Sequence, residues 1–278
     1  MRIAGAVIAS LMCAAQASAG AWPREPGSGF ISIGTEVTTT RTELRADGPT
    51  ADPAPDATGY RTLFAEIGLT PRLSAGVDVG GDEVWLSGMV NAELERMAKQ
   101  GGATSEELAL ADATDRRVRT WSGVVFGQVA LGALDARHRF AASLGIGQRT
   151  YEEPGLFFGL EEMRTETILR PGLAYGLGFG GAAVSGWLSV EGSVEHRMRT
   201  QGTVRKIDTT LGLKRPDSRL SYLFQVFASD FPQADPQVRL QPGVVAQVWR
   251  GLSLESGVIY DVAGADAVGF KVGLWVEW

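Results

Sequence analysis

The stretch "VGFKVGLWVEW", residues 268–278, alternates without a break. Val268, Phe270, Val272, Leu274, Val276 and Trp278 share one register, while Gly269, Lys271, Gly273, Trp275 and Glu277 share the other. Side chains of a strand point to opposite faces in turn, so period two marks a strand with one apolar and one mixed face. Trp275 is the exception, a bulky ring on the face that otherwise carries glycine and charge.

Working outward, the same pattern recurs twelve times. "GFISIGTEVTTTR" sets Ile31, Ile33, Thr35, Val37 and Thr39 against Ser32, Gly34 and Glu36. "YRTLFAEIGLT" sets Leu63, Ala65, Ile67 and Leu69 against Phe64, Glu66 and Gly68, and "LSAGVDVG" follows after the turn "TPR". Further segments fall at roughly 117–131, 139–149, 163–178, 183–198, 203–214, 219–229, 239–249, 252–262 and 267–278. Each matches or exceeds the ~9–11 tilted residues that cross a bilayer as a strand.

Context comes from the other end of the chain. Arg2, the apolar run Ile3 to Ala15 and the Ala17-Ser18-Ala19 pattern read as a secretory signal peptide over residues 1–19. Residues 20–278 are then expected to form one domain. Cys13, the single cysteine, lies in that leader, so no disulfide or Cys-held metal is expected in the exported part. After the leader no run approaches the ~18 apolar residues of a membrane helix. A net charge of −6 argues against nucleic acid as a partner.

Two classes remain, a β-sandwich and a membrane β-barrel, and the connectors separate them. One set is short: 70–72, 133–137, 178–182, 215–218 and 250–251. The intervening set is longer or more polar: about 42–59, 82–116, 150–162, 199–202, 230–238 and 263–266. Outer-membrane barrels have short periplasmic turns and longer outer loops, and a sandwich has no reason to sort its turns by parity. Trp22, Tyr222, Trp249 and Trp278 fall near expected periplasmic strand ends, and Tyr60, Trp121, Tyr151 and Tyr260 near outer ends. Two such bands suit the two headgroup interfaces. The expected fold is a single antiparallel transmembrane β-barrel of about twelve strands.

The closing strand also resembles the C-terminal signal of the bacterial (Gram-negative) outer-membrane β-barrel superfamily, carried by Phe270, Val272, Leu274, Val276 and Trp278. The resemblance implies location in the cell outer membrane, with membrane lipid as a partner and recognition by the barrel-assembly machinery during biogenesis. It identifies a superfamily and no activity. Physically, the last strand must pair with "GFISIGTEV", or two open edges would lie in hydrocarbon.

Period two assigns a lumen set: Glu36, Glu66, Asp78, Arg149, Arg164, Glu166, Arg170, Glu191, Glu195, Arg197, Lys206, Asp208, Lys214, Arg239, Glu255 and Lys271. Both signs are present, so this set fits a water-filled channel for small solutes or an interlocked ion-pair plug. Gly172, Gly176, Gly178, Gly269 and Gly273 either widen the lumen or ease curvature. In loop 82–116, "NAELERMAKQ" and "TSEELALADATDRR" use helix formers, and Thr104 with Glu107 has capping-box spacing, so one or two short helices are expected. Asp47, Asp52 and Asp56 match no Ca²⁺-loop spacing, and neither metal nor cofactor is expected.

Passive passage of small solutes is the leading function. A plugged structural or adhesive barrel acting through loops 42–59 and 82–116 is the alternative, and a lipid-modifying enzyme is a further one. Lipid hydrolysis or acyl transfer usually needs a general base, and His138 and His196 are the two histidines. His138 reads as a residue of a periplasmic turn. His196 reads as lipid-facing, with Thr165 expected opposite it; no catalytic residue is assigned.

Overall fold

Antiparallel neighbours every few residues, joined by tight turns, curl an apolar-out sheet until its edges meet. The computed structural model describes residues 20–41, 58–83, 120–154, 161–232 and 234–278. Twelve strands follow one another as β1 (Gly29–Thr40), β2 (Thr58–Gly68), β3 (Leu73–Glu83), β4 (Trp121–Leu131), β5 (His138–Pro154) and β6 (Glu161–Gly180), then β7 (Ser185–Arg197), β8 (Thr203–Lys214), β9 (Leu220–Asp230), β10 (Gln237–Trp249), β11 (Leu252–Ala263) and β12 (Ala267–Glu277). Each pairs with its sequence neighbours, and β12 returns to β1, so the sheet is a closed barrel.

The seam runs in register from Phe30↔Glu277 to Thr40↔Ala267. Its lower end is fixed by reciprocal backbone bonds, Gly29 N–H to the Trp278 carbonyl at 3.1 Å and Trp278 N–H to the Gly29 carbonyl at 3.3 Å. Closure gives every strand a neighbour on both sides, which is the condition for spanning hydrocarbon. The two-residue turn between β10 and β11 needs Gly251, whose φ is +74°. It also needs the missing side chain, since a Cβ there would stand 2.3 Å from the Glu277 carbonyl oxygen.

Leu63, Val125, Leu144, Ile146, Leu173, Phe224, Val258, Phe270 and Val272 lie on the outward register and are exposed. So broad an apolar belt on a closed barrel is a lipid-facing surface. Trp249, Trp278 and Tyr222 are exposed at the short-turn end, and Trp121 and Tyr260 at the other. Two aromatics depart from the girdle pattern. Tyr60 stands on the inward register, paired with Glu36 and meeting Gly80 through its hydroxyl. Trp22 is 7 % exposed and sits inside the barrel rather than at the interface.

Strand limits differ most at the loop end. β5 and β6 stay paired as far as Pro154↔Glu161, so their connection is shorter than the expected 150–162. β2 begins at Thr58, β3 continues to Glu83, and β4 begins at Trp121 rather than 117. The signal peptide, the expected helices of loop 82–116, the three loop aspartates and the Tyr151 side chain lie outside the described residues.

Candidate functional site: the lumen

The inward faces of the strands form three storeys. The lowest is an apolar floor of Trp22, Phe30, Trp187, Leu223, Val245 and Trp275, with Phe64 packed against it. Phe30 meets Trp275 edge-on at 5.5 Å and Phe64 at 6.2 Å. Such offset and edge contacts add about 0.5–1.5 kcal/mol each to the burial of the rings. This is the reason for a ring on the glycine-and-charge face of β12. Trp275 fills the floor, and its indole N–H donates to Glu255 Oε2 at 2.9 Å. Lys271 holds the other oxygen of that carboxylate at 3.0 Å.

Trp22 belongs to no strand. Residues 20–27 form a strap that enters the barrel at the short-turn end. Gln128 Nε2 donates to the Gly20 carbonyl at 2.5 Å. Gly27 N–H donates to the Gly68 carbonyl at 2.9 Å, and Gly68 N–H to the Ser28 carbonyl at 3.0 Å. The Arg24 guanidinium is buried, lies 4.7 Å above the Phe30 ring, and reaches Glu66 at 3.5 Å and Glu277 at 3.9 Å. Burial pulls its pKa below the ordinary value, and the two carboxylates oppose that shift.

The wall opposite Trp22 is bare. A Cβ on Gly176 would stand 2.6 Å from the indole, so that glycine serves the strap by close approach. Seating the strap is close to balanced. Burying a Trp removes ~150–250 Å² from water, or about 4–6 kcal/mol at ~25 cal/mol per Å². The strap's two hydrogen bonds to the wall, at Gly20 and Gly27, add about 1 kcal/mol each. Ordering eight backbone residues costs about 1 kcal/mol each.

The middle storey is a cavity of about 190 Å³ bounded by β2 to β8. Phe64 and Phe126, stacked at 5.6 Å, line it on one side, and Glu191 and Asp208 on the other. Gln128 also lines it, so the strap closes it from below.

Charged side chains run through all three storeys, from Arg24–Glu66 in the floor to Arg239–Glu36 towards the loop end. The structure places Glu36, Glu66, Asp78, Arg149, Arg164, Glu166, Arg170, Glu191, Glu195, Arg197, Lys206, Asp208, Lys214, Arg239, Glu255 and Lys271 on inward registers. Arg170 reaches Asp78 at 2.6 Å from β6 to β3, and Arg239 reaches Glu36 at 3.0 Å from β10 to β1. These pairs skip two intervening strands and cross the barrel as chords. Neighbouring pairs are Lys206–Glu195 at 3.2 Å, Arg197–Glu195 at 3.4 Å and Arg239–Asp261 at 2.8 Å.

Glu166 organises the turn above it. Its carboxylate accepts from Arg149 Nε at 2.7 Å, from the Thr200 N–H and hydroxyl at 3.0 Å each, and from the Arg199 N–H at 3.3 Å. Its side chain is fully buried. Removing it in Glu166→Ala leaves Arg149 and two backbone donors without this acceptor, an expected loss of about 3 kcal/mol. Tryptic cleavage after Arg199 should accelerate at least about tenfold. Unchanged cleavage would show that the turn holds itself.

Neither histidine joins the lumen. His138 Nδ1 lies 2.8 Å from the Tyr175 hydroxyl and stacks on that ring. His196 pairs with Leu169 on β6, not with Thr165, because the β6–β7 ladder is offset by four residues from the expected register. Its Nδ1 stands 3.4 Å from Thr203 Oγ1 on β8 instead. Among the described residues no group of three or more His, Cys, Asp or Glu could hold a metal ion. The strap is what sequence reasoning missed; its one signal is a lone Trp between small residues and Pro23.

No protein-family model matches the sequence, and no curated protein sequence does. Solved structures do. The beta domain of the Bordetella autotransporter Brka superposes with a TM-score of 0.52 at 12 % identity, covering 91 % of this chain and 99 % of that one. The chain has the fold of the Gram-negative outer-membrane β-barrels. An outer membrane channel from Pseudomonas putida F1 is similar at a TM-score of 0.50 and 11 % identity, covering 92 % of this chain and 98 % of that one. These outer-membrane barrels share the architecture with this chain at identities that speak for the fold alone.

Proposed function

We propose that the protein is an outer-membrane channel for small polar solutes, held shut by its strap, with membrane lipid around the belt. The observation that carries this reading is the position of Trp22. The ring closing the floor opposite Gly176 sits on a segment outside the barrel wall, seated by a near-balanced set of contacts. Withdrawal of the strap removes Trp22 and Arg24 together and bares Gly176 of β6, opening the polar cavity towards the short-turn mouth past the strand residues of the floor. A floor built wholly from strand residues would have no such freedom.

Planar-bilayer recording tests it. Wild-type protein is expected to show rare or brief openings, and Trp22→Gly to raise the open probability by at least about tenfold, since loss of a buried Trp exceeds the roughly 1.4 kcal/mol that a factor of ten requires. If Trp22→Gly forms a folded barrel and stays electrically silent, the protein is a plugged barrel acting through its loops.

A further inference from the structure

We infer that the mid-barrel cavity is a binding site for a small organic ammonium ion, which rests on the channel reading and deepens it by naming its solute class. Its volume, about 190 Å³, exceeds what one water needs and falls below the roughly 300–1,000 Å³ of sites for drug-sized ligands, so the occupant is small. The charges around it are unequally compensated. Arg170 is tied to Asp78 at 2.6 Å and Lys206 to Glu195 at 3.2 Å. Glu191 and Asp208 face each other across the β7–β8 ladder. Glu191 accepts one bond, from Ser189 Oγ at 3.4 Å. Neither carboxylate has a cation within ion-pair distance among the described residues; Lys206 and Arg170 act on Asp208 from further off, and the lining carries three acidic groups, Asp78, Glu191 and Asp208, against those two basic ones.

The other side of the cavity is aromatic. β2 and β8 lie half a turn apart around the barrel, so the occupant sits between the Phe64–Phe126 stack and the two carboxylates. Ring faces carry negative charge density and attract a cation whose alkyl groups they also cover. Two adjacent carboxylates repel, and a cation between them removes the repulsion. An anion would meet both effects with the wrong sign. A neutral solute would gain from the rings alone. The small volume and the aromatic wall, with the acidic pair opposite, select an alkylammonium over a hydrated metal ion.

Choline and its uncharged isostere 3,3-dimethylbutan-1-ol test the site by calorimetry on the detergent-solubilised barrel. Choline is expected to bind saturably and the isostere at least tenfold more weakly. Glu191→Gln/Asp208→Asn should weaken choline at least tenfold, with folding checked by the gel shift on heating. Equal binding of choline and isostere overturns the proposal without reference to any variant. So does the absence of saturable choline binding in both wild type and Trp22→Gly, where the floor is open. Choline binding without current would sink the channel alone, and current without choline binding would sink the site alone.

Discussion

The Gly269→Val variant is expected to fail to close its barrel. Gly269 lies on the inward register of the seam, opposite Thr38. A Cβ at this position would stand 2.0 Å from the Val37 carbonyl oxygen and 2.8 Å from both Cα and Cγ2 of Thr38. The nearest atoms include backbone of the partner strand, which no side-chain rotation can move aside. Relief requires β1 and β12 to separate, with loss of ladder bonds in the interval where the barrel meets itself. Overpacking of this kind costs about 1–3 kcal/mol in a core. Folded barrels in detergent migrate differently before and after boiling, and Gly269→Val should lose that difference. A Cβ added at Gly127 would meet nothing within 4 Å, so Gly127→Val should retain it. Equal behaviour of the two variants would mean that the seam tolerates displacement.

Arg24→Met is expected to unseat the strap. Glu66 is buried; Ser74 Oγ donates to one of its oxygens at 2.5 Å, and the Arg24 guanidinium pairs with the other as an ion at 3.5 Å. Removing the cation leaves a carboxylate in a closed floor with one hydroxyl to satisfy it. Breaking a buried pair from one side costs about 3–5 kcal/mol, more than the margin by which the strap is held. Exchange of the Gly27 and Gly68 amides, which hold strap and wall together, should accelerate by about 100-fold or more at roughly 1.4 kcal/mol per factor of ten. The double variant Arg24→Met/Glu66→Gln removes the stranded charge while leaving an acceptor for Ser74, and should recover much of the protection. Unchanged exchange in Arg24→Met, or no recovery in the double variant, would assign the seating to Trp22 alone.

Much of the barrel is legible in the sequence because period two leaves few choices. Phe270 and Val272 against Lys271 and Gly273 fix which face of β12 meets lipid, and the same rule serves every strand. Loop lengths fix the alternation of ends. The contents of the lumen are less legible, because alternation gives a side chain's direction and not its reach. Arg170 and Asp78 are ninety-two positions apart, and nothing local says that one spans the wall to the other. Trp275 is out of place on its register until Phe30 and Glu255 stand around it. A Trp before a first strand suits a headgroup as well as a floor, so the sequence alone sends Trp22 to the interface. Only the hole at Gly176 reveals its seat. Tyr60 and the Leu169↔His196 register depart from expectation for a related reason: small differences at strand ends reverse a side chain's face or change its neighbour.

The hairpin of β5 and β6 runs past its neighbours. Above Ser122↔Arg149 on one flank and Ile168↔Arg197 on the other, the described residues add no further ladder rung; the last contacts are Thr150 Oγ1 with the Trp121 N–H at 2.9 Å and the Met198 N–H with the Thr167 carbonyl at 3.0 Å. On the β6 flank, main-chain groups above Thr167 that face away from β5 need water, and hydrocarbon supplies none. The last two-sided rungs therefore draw a waterline on the barrel. Acyl chains end at or below Thr167 on that flank, and what the ribbon presents above it is addressed to the aqueous side.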